Sequence, residues 1–462
     1  MQSRSRITMA AIMLASFGWS GVASGEDQSV DILIKGGTIY DGSENPPFTG
    51  DIAVRDGKIV FSGPSADGRF RAKRTIDAAG LIVAPGFIDA HTHPDTYIRS
   101  GEPSQRTNAP WLMQGVSTVL IGVDGGGTPD VAEEFDHFRQ QGIGTNVVAY
   151  VGFGAVRERV LGQDDRAPNA DELSRMKTLV AKGMCEGADG LSTGLFYAPQ
   201  SFAKTDEVVA LAKEAAVRGG LYDTHQRDES SYTIGVLNSV KETIEIGREA
   251  NIPVHFAHLK ALGVDVQGQA PEIVKLIEDA RATGQDVTAD QYPWLASSTG
   301  LDAALLPRWS VAGGYDELLK RLGDPATLVR IRTEMQDNLR RRGGAQSILL
   351  TGTGKPWTGK YLSQIADEWH VDPVEAAIRI FRESRRNSIA SFNMAESDVE
   401  YIMKQPWVVT SSDGNDGHPR QYATFPEKYA VYVKEKKVIG LENFIRHSTG
   451  LTADMLKIDH RG

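Results

Sequence analysis

Two histidines separated by one residue, His91 and His93, are the residues of this chain most suited to metal chemistry. They end the stretch at residues 81–93, where apolar and β-branched residues precede polar ones. This pattern predicts a buried strand that ends in polar side chains. Side chains two residues apart on a strand point to the same face, so both imidazoles could bind one metal ion. A pair of ordinary loop histidines would have the same spacing, and the spacing alone does not decide between the two.

Two more histidines and one carboxylate follow other predicted strands. His225 and His258 each end a short β-prone segment, and neutral imidazole is a common ligand of zinc and similar ions. Asp413 ends another such segment, where it could bind a metal and carry protons to and from a bound water. Taken singly, each is more simply a core histidine or a turn-forming aspartate. Their convergence favours a metal site, whereas His255, three residues before His258, faces the other side of its strand and is predicted to be structural.

The elements that must position these residues predict an α/β protein. From residue 81 onward, strand-like segments alternate with helical ones, which predicts a (β/α)8 TIM-type barrel. Catalytic groups in that fold stand at the C-terminal ends of the strands, where the histidines and Asp413 fall. The candidate strands end near His93, Val123, Gly152, Ser192, His225, His258, Tyr292 and Asp413.

Other segments complete the predicted domain organisation. Residues 26–80 contain short apolar runs punctuated by Gly and Asp-Gly, and predict the N-terminal part of a small β-domain. The barrel takes residues 81–462, with the charged, helical residues 300–400 as a subdomain inserted before the eighth strand. Residues 1–25 combine arginines, a short apolar run and small residues, which predicts a signal peptide and an exported, periplasmic or secreted protein.

Composition narrows the classes of partner. The net charge of -10 over 462 residues gives no sign of binding to nucleic acid or to an anionic membrane. The N-terminal apolar run is too short to span a membrane comfortably, so no stable membrane association is expected after removal of the signal. The single cysteine, Cys185, excludes a disulfide framework and is expected to be a buried thiol. The expected partner is a small-molecule substrate, and a homo-oligomer is compatible with the composition.

Seven motifs in one order resemble the amidohydrolase superfamily and, within it, the N-acyl-D-amino-acid deacylase (D-aminoacylase) family. The similarity extends from residue 31 to the C-terminus, and the combination of motifs is far more specific than the histidine pair alone. The motifs are residues 86–93 (GFIDAHTH), 187–197 (GADGLSTGLFY), 224–229 (THQRDE), 257–260 (AHLK), 292–300 (YPWLASSTG), 412–414 (SDG) and 418–420 (HPR).

The resemblance implies an enzyme that uses one or two divalent ions, zinc or another metal, to activate a water toward an amide carbonyl. The products would be a carboxylate and a free amino acid. His91, His93 and Asp413 would define one metal position, and His225 and His258 the other. Asp413 would also take the proton of the water and pass it to the leaving amine.

The same resemblance implies a set of substrate contacts. Arg420 would pair with the substrate carboxylate, because a guanidinium group matches a carboxylate with two parallel hydrogen bonds. Tyr292 and Ser298 match family positions near the substrate. Tyr197 and Arg227 also match, with a less defined role.

The chain departs from the family at two places. Asp124 stands where the well-studied members have a cysteine ligand that reaches both metal positions. A carboxylate is a harder ligand that could still bridge two ions; alternatively, Asp124 is a turn residue before three glycines and the site holds one ion firmly. The sequence also stops where the family continues into further strands, so we expect a C-terminally shortened small β-domain.

Two other functions fit the same residues. A dipeptidase, a carboxypeptidase-like enzyme or an amidohydrolase of cyclic amides would keep the metal chemistry, although the matches at Arg420 and Tyr292 favour an acyclic substrate with a free carboxylate. A non-catalytic binding protein on the same scaffold is less favoured, because all four histidines and Asp413 are present.

Overall fold

The computed structural model describes residues 28–415 and 417–458. The predicted signal peptide therefore lies outside the described residues. The described chain divides into two compact units. The smaller unit contains the residues up to Ile39 together with Pro47–Val83, and the larger contains Tyr40–Pro46 and the residues from Ala84 on.

The smaller unit is a five-stranded sheet built around its first strand. The central strand runs antiparallel to β2 and parallel to β4 and β5, and β2 pairs with β3 through an Asp56-Gly57 hairpin whose two residues both have positive φ. The strands are β1 (Ser29–Ile39), β2 (Phe48–Arg55), β3 (Lys58–Gly63), β4 (Arg71–Asp77) and β5 (Ile82–Val83).

The larger unit contains the predicted barrel of eight parallel strands, which confirms the fold class. Consecutive strands pair in chain order, and the last strand pairs with β12. The eight strands are β6 (Phe87–Asp89), β7 (Val116–Ile121), β8 (Asn146–Gly152), β9 (Gly190–Gly194), β10 (Leu221–His225), β11 (Val254–Phe256), β12 (Val287–Gln291) and β16 (Val408–Thr410).

The predicted first strand over residues 81–93 is wrong in extent. Ile82 and Val83 belong to the small sheet, and β6 keeps only three residues. Pro85 interrupts the run because it has no N–H for a strand ladder. The segments that follow β6 and β16 close the barrel: the His93 N–H donates to the Gly414 carbonyl at 3.0 Å, and the Asp413 N–H to the His91 carbonyl at 2.8 Å.

Helices cover the outside of the barrel, and their buried faces match the sequence periodicity. On α7, for example, Val208, Leu211, Ala212 and Ala215 recur at helical spacing and are buried. The helices are α1 (Asp95–Ile98), α2 (Pro103–Arg106), α3 (Ala109–Leu112), α4 (Val131–Gln141), α5 (Phe153–Leu161), α6 (Ala170–Cys185), α7 (Thr205–Ala216), α8 (Val236–Ala250), α9 (Ala270–Ala282), α15 (Glu396–Met403), α16 (Arg420–Glu427), α17 (Leu441–His447) and α18 (Gly450–Leu456), with a π-helical segment at Lys428–Glu435.

Cys185 is exposed, so the prediction of a buried thiol is wrong. The buried stripe of α6 runs through Met176, Val180 and Met184, and the next residue points about 100° away from that stripe. No helix of the described residues is long and apolar enough to cross a bilayer.

The segment between the seventh and eighth barrel strands has its own hydrophobic core, which includes Leu318, Ile331, Ile365 and Phe381. It is helical, as predicted, and it also contains a three-stranded antiparallel sheet that the sequence analysis did not anticipate. Its elements are β13 (Ala296–Gly300), α10 (Leu301–Leu305), α11 (Tyr315–Gly323), α12 (Pro325–Arg341), β14 (Ile348–Leu350), α13 (Leu362–Glu368), α14 (Pro373–Glu383) and β15 (Ser388–Phe392).

Candidate metal centre

The six residues predicted as metal ligands all stand at the C-terminal ends of barrel strands, the face on which this fold carries catalysis. Their donor atoms form three overlapping groups, each within 4.8 Å. They are His91 and His93 after β6, Asp124 after β7, His225 at the end of β10, His258 after β11 and Asp413 after β16.

Asp124 lies in the middle of the four histidines. Its Oδ1 is 3.5 Å from His91 Nε2, 3.7 Å from His225 Nδ1 and 3.6 Å from His258 Nε2. Its Oδ2 is 3.6 Å from His93 Nε2. Oδ1 thus lies near histidines of both predicted metal positions and Oδ2 faces His93, so the carboxylate stands between the two positions, where a bridging ligand would.

The donor set fits a metal ion by its spacing and by its unpaired atoms. Two donors bound to one tetrahedral zinc ion would lie about 3.4 Å apart, close to the distances around Asp124. Both ring nitrogens of His91 and the Oδ1 of Asp124 are buried without a hydrogen-bond partner. Leaving buried polar atoms unpaired is costly, and a cation would satisfy them together.

Three of the six predicted ligands hold a left-handed backbone. The φ angles are 54° at Asp124, 35° at His258 and 45° at Asp413. Such conformations cost a residue with a side chain on the order of 1–3 kcal/mol and concentrate at functional sites. The backbone strain therefore coincides with the predicted ligands.

The Asp124 turn is clamped by Gln200, which sequence reasoning missed. Gln200 Nε2 donates to the Asp124 carbonyl at 2.8 Å, and its Oε1 accepts from the Gly194 N–H at 2.7 Å. A Cβ at Gly125 would lie 2.1 Å from the Gln200 side chain, so a glycine is required beside the clamp. No local motif marks Gln200, because its partners are distant in sequence.

Glu229 and Lys260, which sequence reasoning also missed, surround the outer nitrogen of His258. The Lys260 ammonium donates to Glu229 Oε1 at 2.7 Å and lies 2.8 Å from His258 Nδ1. Glu229 Oε1 lies 3.2 Å from the same Nδ1. Since His258 Nε2 faces the centre, Nδ1 must carry the proton when the ring binds a metal, and Glu229 is its acceptor. The sequence did offer a signal for both residues: Glu229 ends the motif at residues 224–229, and Lys260 ends the motif at residues 257–260.

Asp290 connects the backbone of His258 to the side chain of His255. One of its oxygens accepts from the His258 N–H at 2.9 Å, and the other lies 2.9 Å from His255 Nε2. His255 is completely buried and takes no part in the three ligand groups, in agreement with its predicted structural role. A deeper group of His91, Asp223 and Asp290 also has ligand spacing, but the Asp290 oxygens are already occupied by these hydrogen bonds.

Asp413 faces the histidines with one oxygen and Arg420 with the other. Its Oδ1 lies 3.3 Å from His93 Nε2, and its Oδ2 lies 2.8 Å from Arg420 Nη1. Burial would raise the pKa of Asp413, but the Arg420 guanidinium and His258 hold that pKa well below its ordinary value. Asp413 is therefore a carboxylate at neutral pH, able to bind a metal.

A cavity of about 360 Å³ opens onto this centre. Of the five predicted substrate contacts, Ser298 and Tyr197 line it. Arg420 is fully buried behind Asp413, with its guanidinium 4.9 Å from the ring centre of Tyr292. Neither of these two lines the cavity, and their substrate roles stay predictions.

Arg227, the fifth predicted contact, faces away from the cavity. Its guanidinium makes three hydrogen bonds of 2.8–3.1 Å to the carboxylate of Glu242 on α8. Arg227 is half-buried, and a cation partly removed from water favours the nearest carboxylate because an unpaired charge is costly to desolvate. In its place the cavity wall carries Glu229, Lys260 and Arg342, none of which was predicted as a site residue.

No protein-family model matches the chain, but individual proteins match over nearly its whole length. A D-aminoacylase of Alcaligenes xylosoxydans xylosoxydans is 30% identical over 470 residues, which cover 96% of this chain and 87% of the relative. An N-acyl-D-aspartate deacylase of the same organism is 31% identical over 462 residues, covering 94% of this chain and 83% of the relative.

A solved structure is similar in three dimensions. It is an N-acyl-D-glutamate deacylase from Bordetella bronchiseptica in complex with zinc and a phosphonate inhibitor that mimics the tetrahedral intermediate of the reaction. It is 29% identical in sequence with a TM-score of 0.79, and the match covers 94% of this chain and 87% of that one.

The barrel, with the predicted metal ligands at the C-terminal ends of its strands, is the arrangement of an amidohydrolase, an enzyme that cleaves amide bonds with the help of a metal. The matching relatives narrow this class. The chain belongs to the N-acyl-D-amino-acid deacylase (D-aminoacylase) family. The predicted family and enzyme class are thereby confirmed.

Proposed function

We propose that this protein hydrolyses the amide bond of N-acyl-D-amino acids, releasing a carboxylate and a free D-amino acid, with zinc or a similar divalent ion at its centre. The observation that carries the proposal is the Asp124 carboxylate, which lies 3.5–3.7 Å from four histidine nitrogens at the floor of a substrate-sized cavity. Relatives named as a D-aminoacylase, an N-acyl-D-aspartate deacylase and an N-acyl-D-glutamate deacylase support this reaction.

The ligands divide between two positions. His225 and His258 would hold one ion, His91, His93 and Asp413 would hold a second, and Asp124 would contribute to both. A bound divalent ion supplies a Lewis acid and lowers the pKa of a water molecule.

The chain's own residues handle the proton. Asp413 is ionised and placed between His93 and Arg420, so it can accept a proton from water and return it to the leaving amine. Glu229 accepts from Nδ1–H of His258 and so favours the tautomer with a free Nε2, while Lys260 competes as a donor to the same nitrogen.

The substrate would lie along the wall that carries Ser298 and Tyr197. The Ser298 hydroxyl donates to the Asn415 side-chain oxygen at 3.4 Å, and the Tyr197 hydroxyl accepts from the Thr299 hydroxyl at 3.3 Å. Both hydrogen bonds are long, so a substrate could replace them. Beside its Nη1 ion pair with Asp413, the Arg420 guanidinium has no hydrogen-bond partner for Nε or Nη2 within the described residues, so the predicted clamp of the substrate carboxylate would use these two nitrogens. Arg420→Ala with an unchanged kcat/KM would exclude that clamp.

A substrate panel tests the proposal directly. Purified, metal-loaded enzyme is incubated with N-acetyl-D- and N-acetyl-L-amino acids, dipeptides with a D-residue at the C-terminus and a cyclic amide. We expect turnover of D-substrates over their L-enantiomers. Turnover confined to dipeptides or to the cyclic amide would favour the corresponding amidohydrolase instead, and no turnover of any D-substrate would exclude the deacylase.

We also propose that the enzyme is exported, on the sequence pattern of residues 1–25 alone. Expression of the full chain in a Gram-negative host, followed by fractionation and N-terminal sequencing of the product, tests this. Export predicts a shortened N-terminus outside the cytoplasm, whereas an intact Met1 in the cytoplasmic fraction would contradict it.

A further inference from the structure

Arg342 brings a positive charge from the inserted subdomain into the wall of the active-site cavity. It follows directly on the last residue of α12 and is 2% exposed. It nevertheless lines the same cavity as the predicted ligands His93 and Asp413. Its charge therefore faces the space where substrate must lie.

Neutral groups are the hydrogen-bond partners of this guanidinium. Its Nε donates to the Tyr232 hydroxyl at 2.6 Å, and its Nη1 donates to Ser297 Oγ at 3.3 Å. Neither contact uses Nη2, and within residues 28–415 and 417–458 no carboxylate forms an ion pair with Arg342. A buried charge without a counter-charge is costly, and a buried cation is normally paired.

The other cation on the cavity wall is already neutralised. Lys260 lies 2.7 Å from Glu229 Oε1. The guanidinium of Arg308 adds to the positive charge nearby, since it lies 3.8 Å from the ring centre of Phe196, a residue of the cavity wall. The side of the cavity around Arg342 therefore has an excess of positive charge.

The fold fixes Arg342 rather than leaving it free to swing out. The Val264 N–H, in the loop after His258, donates to the Arg341 carbonyl at 3.1 Å. Gly263, the residue before Val264, has a φ of +97°, and a Cβ there would lie 2.4 Å from the same carbonyl oxygen. The Ser347 hydroxyl donates to the Arg342 carbonyl at 2.5 Å. These contacts fix the backbone at residues 341–342, and the hydrogen bonds to Tyr232 and Ser297 orient the guanidinium.

We propose that Arg342 binds a second carboxylate of the substrate, in addition to the α-carboxylate, so that the enzyme prefers acidic N-acyl-D-amino acids. This rests on the proposed deacylase function. A guanidinium with a free Nη2 matches a carboxylate through charge-assisted hydrogen bonds. The second carboxylate could lie in the amino-acid side chain or in a dicarboxylic acyl group, and the substrates of the test separate these sources. Overall identity does not identify the substrate, because it is 30% to a D-aminoacylase and 31% to an N-acyl-D-aspartate deacylase.

The experiment compares charged and neutral substrates of equal shape. kcat/KM is measured with N-acetyl-D-glutamate against N-acetyl-D-glutamine, and with N-succinyl-D-leucine against its terminal amide, N-succinamoyl-D-leucine. We expect the wild type to favour one acidic substrate over its neutral partner by at least about tenfold. Arg342→Met should lower kcat/KM for that acidic substrate by roughly 10–100-fold, mainly through KM, and change the neutral one by less than about threefold. Arg342→Lys should recover part of the loss.

Arg341→Met is the matched control. Arg341 is the adjacent residue and carries the same charge, but it lines a separate cavity with Trp309 and Glu334 and donates to Asn338. Its removal should leave both acidic and neutral substrates within about twofold of wild type. Thermal unfolding of both variants checks that each is folded.

Three results would overturn the inference. An equal loss on acidic and neutral substrates in Arg342→Met would assign Arg342 to the α-carboxylate or to structure. A wild type that turns over neutral N-acetyl-D-amino acids without preference, with a ratio unchanged in Arg342→Met, would refute the second carboxylate while leaving the deacylase intact. Hydrolysis of none of these substrates by the wild type would refute both.

Discussion

The carboxylate of Glu229 should control how tightly the centre holds its metal. Glu229 Oε1 lies 3.2 Å from His258 Nδ1, and Lys260 lies 2.8 Å from that same nitrogen. The two neighbours favour opposite tautomers. Glu229 accepts a proton held on Nδ1, which leaves Nε2 free to bind a metal, whereas the ammonium donates to Nδ1 and favours a proton on Nε2.

Glu229→Gln keeps the size of the side chain and removes this charge. Lys260 then loses the carboxylate 2.7 Å away and competes for His258 Nδ1. Loss of such a hydrogen-bonded support for a metal-binding histidine typically costs 10–100-fold in affinity, which corresponds to about 1.4–2.7 kcal/mol. We expect a decrease in this range, and a partial recovery in the double variant with Lys260→Met, because the competing donor is then absent.

The assay is competition of the metal-stripped protein with a chromophoric chelator for zinc. Glu207→Gln is the matched control, because Glu207 is also a buried carboxylate paired with a cation, Arg157, at 3.0 Å, but it lies outside the cavity. Zinc affinity of Glu229→Gln within about twofold of wild type would refute the assigned tautomer. A further loss in the double variant would refute the competition by Lys260.

Three other predictions follow from buried charges. Asp124→Asn should retain fewer zinc ions per chain than wild type in elemental analysis, because a neutral amide cannot bridge two cations; equal stoichiometry would contradict bridging. Burial lowers the pKa of Lys428 from 10.5 to about 7. The buried amine therefore lowers the free energy of unfolding below pH 10.5, and most strongly below pH 7. Lys428→Met should therefore raise the free energy of unfolding at pH 7 by on the order of 4 kcal/mol in urea titrations, and a destabilised variant would be the opposite result. Burial lowers the pKa of His447 from 6.5 to about 4, so stability is complete above pH 6.5 and falls between pH 6.5 and 4 by about 3 kcal/mol. His447→Gln should flatten that decline, and an unchanged pH profile would exclude His447 as its source.

Much of the barrel could be predicted because its signals are local. Each strand is a short apolar run, and polar residues follow at its C-terminal end, as in the segment that ends at His225. The ends of all parallel strands meet on one face, so a list of strand ends is also a list of candidate ligands. The central position of Asp124 between the histidines could be seen only in the folded structure, because the sequence allowed both a bridging ligand and a turn residue at this position.

The parts that escaped prediction depend on contacts between distant segments. Arg342 reaches the cavity because Val264 fixes the end of α12, and nothing near residue 342 in sequence signals this contact. The strands of the inserted sheet have three to five residues each and lie among charged helices. Arg420 was expected on the cavity wall, but the neighbouring carboxylate of Asp413 holds it in the interior.

Zinc titration of the metal-stripped enzyme, with release of free D-amino acid followed at each addition, tests the central claim most directly. The arrangement of four histidines around Asp124 predicts no turnover of N-acetyl-D-amino acids by the stripped enzyme. Activity should return as zinc is bound and remain selective for D- over L-substrates. Equal activity before and after removal of the metal, or an inactive zinc-loaded enzyme on every D-substrate, would contradict it.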